Sequence, residues 1–462
     1  MKRVARVVQL SLAVVAASVF ACGGDDDGDD GGATVPDGGS DDAGGLDAGP
    51  AADGGGDAGA DASPDAAPAT VTLTFLSPQG PVSGADVIFL SAADSLIAAG
   101  VTGIDGRASA RFDGTGKVVL HYRAQPSGAH EVQAWLSVPP GSDVVFDLRD
   151  GPGADSATLI VDGPTAAGAD RYRVDTPCGS ATSAANTPEV SVALAGCSPT
   201  IHLLWTALDL DPISGELATL STAFEPEVEL AAGRHTVTAD LAPLAPVTAE
   251  LTGIPADVNR ARLQYDLRGA YGLIMAGPSV LETPVAGSVK TIVDLLDLAD
   301  LPAVSGQFDV QLERDGIGVI DVHARADHVR APVLAAGELL PAVRNPAFDA
   351  AARRFTWVEQ GSGAASAVVA TALLDTVPPI TWQAVGPHQS EELILPLLPP
   401  PFDELNPGPD LIVGAREITL YQHPGGYDRF RADLRAAIDP DRIAPGQRLL
   451  RSRHAPNPLP LP

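Results

Sequence analysis

The chain has 462 residues, with 59 Asp and Glu against 29 Lys and Arg, which gives a formal net charge of −30 at pH 7. A surface this acidic repels a phosphate backbone, so nucleic acid is excluded as a partner. Hydrophobic residues make up 45% of the chain, which is enough to fill the cores of about three or four domains.

Residues 1–21 have the pattern of a secretory signal peptide. Three basic residues among the first six precede an apolar run, Val7–Ala21, and a small residue stands at the boundary. The run is too short for a helix that crosses a bilayer, which needs about 20 apolar residues. The pattern therefore predicts export from the cytoplasm and removal of this segment.

Cys22 follows Val19-Phe20-Ala21 and precedes two glycines. This boundary resembles the lipobox of bacterial lipoproteins, whose cysteine becomes the acylated first residue of the mature protein. The resemblance implies a lipid anchor at Cys22, and Gly23 in the next position implies sorting to the outer membrane of a Gram-negative bacterium. Phe20 departs from the small residue usual in that motif, and an ordinary signal-peptidase cut before Cys22 remains the alternative.

Residues 22–68 predict a disordered stalk. After Cys22, the segment holds 13 Asp and no Lys or Arg, and Gly, Ala and Pro make up most of the rest. Such a composition buries little apolar surface and repels itself, so it stays extended. Calcium binding is an alternative for so many carboxylates, but the spacing of a calcium loop is missing.

From residue 69 onward, the sequence changes to short segments in which apolar and polar residues alternate, as in β-strands. Val71, Leu73 and Phe75 share one face of the first strand, and Gly84 and Gly106 stand at predicted tight turns. Residues 69–150 resemble the regulatory-type β-sandwich domain first known from carboxypeptidases, which implies two packed antiparallel sheets.

A weak repeat follows. Pro164, Pro255 and Pro346 are spaced evenly along the chain, and each precedes an apolar strand pattern. The spacing is about the length of one immunoglobulin-like or fibronectin-like sandwich. The sequence therefore predicts an all-β fold of tandem β-sandwiches after a disordered linker. The predicted sandwiches span 155–243, 246–333 and 337–442, and a Pro-rich, poorly ordered tail spans 443–462.

Two segments are ambiguous between helix and strand. Val293–Leu298 has the pattern of a short helix. Tyr427–Ile438 also fits a helix, but its place at the end of a repeat favours a final strand.

The three cysteines fit an exported protein. With Cys22 assigned to the anchor, Cys178 and Cys197 remain as an even pair. An oxidising compartment favours a disulfide between them. Two thiols without Cys-x-x-Cys spacing do not make a zinc site, so no metal and no cofactor are predicted.

No motif of a known catalytic site is present in the sequence. Weaker candidates are His323, Arg325 and Asp327, which alternate along a predicted strand beside His328, and the pair His130-Glu131 near Trp135. We interpret the first set as a solvated strand face. The four tryptophans are expected inside the sandwiches rather than on a sugar-stacking surface: Trp135, Trp205, Trp357 and Trp382.

The combined prediction is a non-catalytic envelope lipoprotein, held on the outer membrane, that displays β-sandwiches for binding or adhesion. Its ligand, a protein or a glycan, is not specified by the sequence. One alternative is a structural scaffold without a soluble ligand. Another is an unrecognised hydrolase, which a concave site gathering His, Asp and Ser with perturbed pKa values would favour.

Overall fold

The computed structural model describes residues 68–77, 79–124, 127–148, 156–298, 301, 303–314, 318–409 and 413–454. The predicted signal peptide, Cys22 and the acidic stalk up to residue 67 lie outside the described residues. All elements below belong to one compact unit, Ala66–Ala124 with Gly128–Pro462. The fold is all-β and built from tandem β-sandwiches, as the alternating patterns predicted.

The first sandwich packs a sheet of β1, β2, β5 and β8 against β3, β4, β6 and β7. Alternate residues of the first strand, Val71, Leu73 and Phe75, are buried in its core. Gly106 has a φ of +71°, and a Cβ there would lie 2.5 Å from the Phe75 carbonyl oxygen, so this turn requires glycine. The strands are β1 (Ala69–Ser77), β2 (Gly80–Pro81), β3 (Asp86–Ser91), β4 (Leu96–Val101), β5 (Arg107–Phe112), β6 (Gly116–Arg123), β7 (His130–Val138) and β8 (Asp143–Asp147).

The second sandwich packs β9, β12 and β15 against β10, β11, β13 and β14. Tyr172 and Trp205 stack in its core with ring centroids 5.2 Å apart. A disulfide joins Cys178 to Cys197, with Cα atoms 5.5 Å apart, as the cysteine pairing predicted. The strands are β9 (Ser156–Asp162), β10 (Arg171–Thr176), β11 (Gly179–Thr182), β12 (Glu189–Ala195), β13 (Thr200–Leu210), β14 (Leu217–Glu229) and β15 (Arg234–Thr236), with a 3-10 turn at Leu230–Ala232.

The third sandwich packs β16, β20 and β23 against β17, β18, β19, β21 and β22. The helix prediction for Val293–Leu298 is wrong, because Val293 and Leu295 belong to a strand whose residues alternate strictly between buried and exposed. The strands are β16 (Ala245–Thr252), β17 (Arg260–Gly269), β18 (Gly272–Met275), β19 (Val280–Glu282), β20 (Val289–Leu295), β21 (Ser305–Arg314), β22 (Gly318–Asp327) and β23 (Val333–Ala335).

The fourth sandwich packs β24, β25 and β28 against β26, β27 and β29. Trp382 is buried there and donates from Nε1 to the Leu405 carbonyl oxygen at 2.8 Å. The remaining elements are β24 (Ala342–Asp349), β25 (Arg354–Gln360), β26 (Ala367–Leu374), β27 (Ile380–Pro387), β28 (Glu392–Ile394), β29 (Val413–Gln422), α1 (Gly426–Ala432), α2 (Leu434–Ile438) and β30 (Arg448–His454), with 3-10 turns at Asp403–Leu405 and Pro440–Arg442.

The final-strand prediction for Tyr427–Ile438 is wrong, since α1 and α2 occupy this segment. Phe430, Leu434 and Ala437 recur at helical spacing and are buried against the first sandwich. The expected poorly ordered tail also contains strand β30, whereas residues 455–462 lie outside the described part of the chain.

Sheets of the first, third and fourth sandwiches join into one. In the described residues this sheet has 13 strands, in the order β18-β17-β21-β22-β30-β29-β26-β27-β7-β6-β3-β4 with β19 beside β17. Strand β30 pairs with β22 on one side and β29 on the other. Strand β27 pairs in parallel with β7. Backbone hydrogen bonds therefore connect sandwiches that are far apart in sequence.

No helix in the described ranges has the length and apolar character needed to span a membrane.

Candidate functional site

A cavity of about 530 Å³ lies where the first sandwich meets the segment around the 3-10 turn Asp403–Leu405. Its walls come from the turn before β3, from the ends of β6 and β7, and from residues 401–405. The polar and aromatic side chains among its lining residues are Ser83, Asp86, His121, Tyr122, Arg123, His130, Phe402 and Glu404.

Three of these side chains form a hydrogen-bonded chain. Asp86 on β3 is directly opposite His121 on β6, and its Oδ2 is 2.9 Å from His121 Nδ1. His121 Nε2 is in turn 2.9 Å from His130 Nδ1. The two imidazole rings are nearly parallel, with an interplanar angle of 9°.

The carboxylate sets the direction of this chain. Asp86 accepts a hydrogen bond from His121 Nδ1–H, and in the tautomers that satisfy both contacts His121 Nε2 accepts from His130 Nδ1–H. A neutral His130 then carries its lone pair on Nε2. In the described residues no protein group is hydrogen-bonded to that atom. The cavity thus presents an oriented hydrogen-bond acceptor.

Burial disfavours the protonated form of His130. The pKa of His130 is lowered by desolvation first, then by the neighbouring His121 and Arg123, while Glu404 opposes the shift. Nearby, burial raises the pKa of Glu131, against a hydrogen bond from Thr381.

The cavity contains a serine but not an activated one. Ser83 lines it together with both histidines, yet in the described part of the chain no hydrogen bond joins Ser83 to either ring. A hydrolase of the serine type needs the hydroxyl within hydrogen-bond reach of its base. The cavity therefore gathers Ser, Asp and His side chains with a lowered His130 pKa, as the hydrolase alternative requires, but without a hydrogen bond to Ser83 from either ring in the described residues.

The structure separates the predicted His323 group. His323 Nδ1 is 2.6 Å from Asp309 Oδ1 on the neighbouring strand. Burial works to raise the pKa of Asp309, but the hydrogen bond and charge of His323 outweigh it, so this pKa lies below its usual value. Asp327 is exposed at the strand end. His328 instead lies in the interior, 3.1 Å from Tyr265 Oη.

The structure also separates the side chains of the other predicted pair, His130 and Glu131. His130 enters the cavity, and Glu131 is opposite Tyr122 and Thr381 in the sheet. As expected, Trp135, Trp205, Trp357 and Trp382 are all buried, none more than 3% exposed.

Sequence reasoning missed Asp86, His121 and Asp309. Asp86 and His121 are 35 residues apart, and only the pairing of β3 with β6 brings them together. A polar residue in an otherwise apolar strand was the available signal in both cases. Within the described ranges, no three His, Cys, Asp or Glu side chains are arranged to hold a metal ion.

No protein-family model matches the chain, and no curated protein matches it. Among solved structures, it is similar to the fimbrial anchor protein Mfa2 from Porphyromonas gingivalis, with 12% identity over 34% of this chain and 78% of that one, at a TM-score of 0.15. The Bacillus anthracis TIE protein matches at 10% identity over 58% of this chain and 50% of that one, TM-score 0.15. A streptococcal ancillary pilin matches at 11% identity over 58% of this chain and 98% of that one, with a TM-score of 0.16. At these scores the likenesses assign neither a function nor a ligand.

Proposed function

We propose that this chain is a non-catalytic protein of the bacterial cell envelope that displays its β-sandwiches for binding or adhesion. The observation that carries the proposal is the sheet that runs through the first, third and fourth sandwiches. Sandwiches joined only by linkers move independently by default. Strands shared across their boundaries hold these three in one orientation, which suits a body that presents a surface to a ligand.

Two junctions support this argument. At one, His130 to Trp135 of β7 pair in register with Ile380 to Val385 of β27. At the other, β30 fills the position between β22 and β29. Third and fourth sandwiches also share one hydrophobic core with the outer face of the first. The first, third and fourth sandwiches therefore present their loops and faces in a constant arrangement.

The proposed location on the outer membrane rests on the sequence alone. An acylated Cys22 would hold the mature protein on the outer membrane, since each buried methylene contributes about 0.8 kcal/mol and several acyl chains add up. The Asp-rich segment 22–68 would then carry the folded body away from the bilayer.

Proximity labelling on intact cells tests the binding role. The full-length protein carries the labelling enzyme after residue 462, and a fusion of residues 1–68 to the same enzyme, without the sandwiches, serves as the control for background. We expect a reproducible set of envelope or external proteins or glycans labelled by the full-length form. Labelling no different from that of the control would contradict binding and favour the structural scaffold.

A further inference from the structure

The cavity between the first sandwich and residues 401–405 has an exposed, charged rim and a buried imidazole. Ser83, Arg123 and Glu404 line it and are exposed to solvent. His130 also lines it, but only 8% of this residue is exposed. The volume of about 530 Å³ lies within the range of small-molecule sites, about 300–1,000 Å³. A small ligand can therefore enter past the rim and reach the buried ring.

His130 Nε2 is the polar atom that the buried end of the cavity offers. Within the described residues it has no hydrogen-bond partner in the protein. It is also not among the side-chain atoms there that are both sealed from solvent and without a partner, so it is accessible from the cavity. Its Nδ1–H is directed at His121, which leaves Nε2 of the neutral ring as an acceptor. A ligand group that contacts this nitrogen must donate a hydrogen bond.

Two opposite charges close to this nitrogen have no partner. Arg123 and Glu404 both line the cavity, and in the part of the chain that the structure describes neither of them forms an ion pair. Besides the larger effect of burial, the charge of Arg123 lowers the pKa of His130 and that of Glu404 raises it, so both charges lie near the ring. The third charged residue of the lining, Asp86, is hydrogen-bonded to His121. A ligand with one charge would meet one attraction and one repulsion, whereas a ligand with both charges is complementary to the pair.

We propose that this cavity binds a free α-amino acid as its zwitterion. The ammonium group donates to His130 Nε2 and pairs with Glu404, and the carboxylate pairs with Arg123. Charge-assisted hydrogen bonds of this kind are stronger than neutral ones. Val82 and Phe402 supply apolar lining, which suits an apolar side chain on the ligand. This inference rests on the proposed binding function and names its ligand class.

The test uses the full-length protein in detergent. Common free α-amino acids are added one at a time in titration calorimetry, and the tightest is compared with its amide, which lacks the carboxylate, and with its N-acetyl derivative, which lacks the ammonium group. The variants Glu404→Gln and Arg123→Gln each remove one charge from the cavity. The matched control is Asp403→Asn, which removes the same charge as Glu404→Gln from the adjacent exposed residue, outside the cavity lining.

We expect each singly charged derivative to bind at least about tenfold more weakly than the amino acid. Each cavity variant should weaken binding about tenfold, the effect of one lost hydrogen bond between charged groups, and Asp403→Asn should leave it within about twofold. In the wild-type protein, the ring protons of His130 should shift when the amino acid is added.

Binding of no amino acid would overturn the inference. An N-acetyl derivative that binds as tightly as the amino acid would also overturn it, and so would equal losses in Glu404→Gln and Asp403→Asn. If proximity labelling still recovers partners in any of these cases, the binding function stands and only the assignment of this ligand fails.

Discussion

The ion pair between Asp321 and Arg451 is predicted to secure β30 against β22. Asp321 is fully buried, its Oδ2 accepts a hydrogen bond from Arg451 Nε at 2.8 Å, and Arg451 Nη2 lies 2.7 Å from the same oxygen. Removing one partner of a buried pair leaves an uncompensated charge and costs about 3–5 kcal/mol. Because Arg453 Nε remains 3.7 Å from the same oxygen, we expect Arg451→Met to cost about 3 kcal/mol, the lower end of that range.

Urea unfolding of the full-length protein, followed by tryptophan fluorescence, measures this loss. A second variant, Asp321→Asn with Arg451→Met, removes both charges and should be more stable than Arg451→Met alone. The control is Arg173→Met, which breaks an exposed pair with Asp175 at 2.7 Å and should change stability by at most about 0.5 kcal/mol. The reasoning is refuted if Arg451→Met matches that control, or if the double variant is as unstable as Arg451→Met.

Three further predictions concern acid, the disulfide and the anchor. Burial lowers the pKa of His130 and of His202 below the ordinary 6.5. Just below pH 6.5 these histidines are therefore protonated more fully in the unfolded chain than in the folded one. Stability should therefore be complete above pH 6.5 and fall as the pH drops below it; a thermal midpoint unchanged between pH 7.5 and 5 would contradict this. Replacing Cys178 and Cys197 with Ser should cost about 3 kcal/mol, measured by urea unfolding, and reducing agent should then have no further effect on the variant. Changing Cys22 to Ser should move the protein from the membrane fraction to the soluble fraction, and an unacylated Cys22 in the mature wild-type protein, read by mass spectrometry, would refute the anchor.

The alternating strands and the buried tryptophans were predictable because both depend on local patterns. Residues two positions apart in a strand lie on the same face, so a run of apolar residues at that spacing indicates the buried face. Large aromatic side chains such as Trp135 and Trp382 are favoured in a core because they bury a large apolar area. The all-β class follows from those signals.

Strand β30 shows what local patterns leave out. Its apolar residues, Leu449 and Leu450, are flanked by arginines, which is typical of an exposed tail. Strand β30 lies inside a sheet because it pairs with β22 on one side and β29 on the other, and β22 is more than 120 residues earlier in the sequence. The cavity has the same origin, since Asp86, His121 and Glu404 meet through tertiary packing. In Tyr427–Ile438, the helical spacing of Phe430 and Leu434 predicts the observed helices, whereas the place of the segment at the end of a repeat does not.

The place of β30 in the sheet also governs the order of assembly. Every strand that it joins precedes it in the chain, so the gap between β22 and β29 stays open until residues 448–454 are available. Pairings this distant are slow to form and expose unpaired edges meanwhile. Until β30 fills that gap, β22 and β29 each keep one edge without a partner strand, so the last described strand of the chain completes the longest sheet.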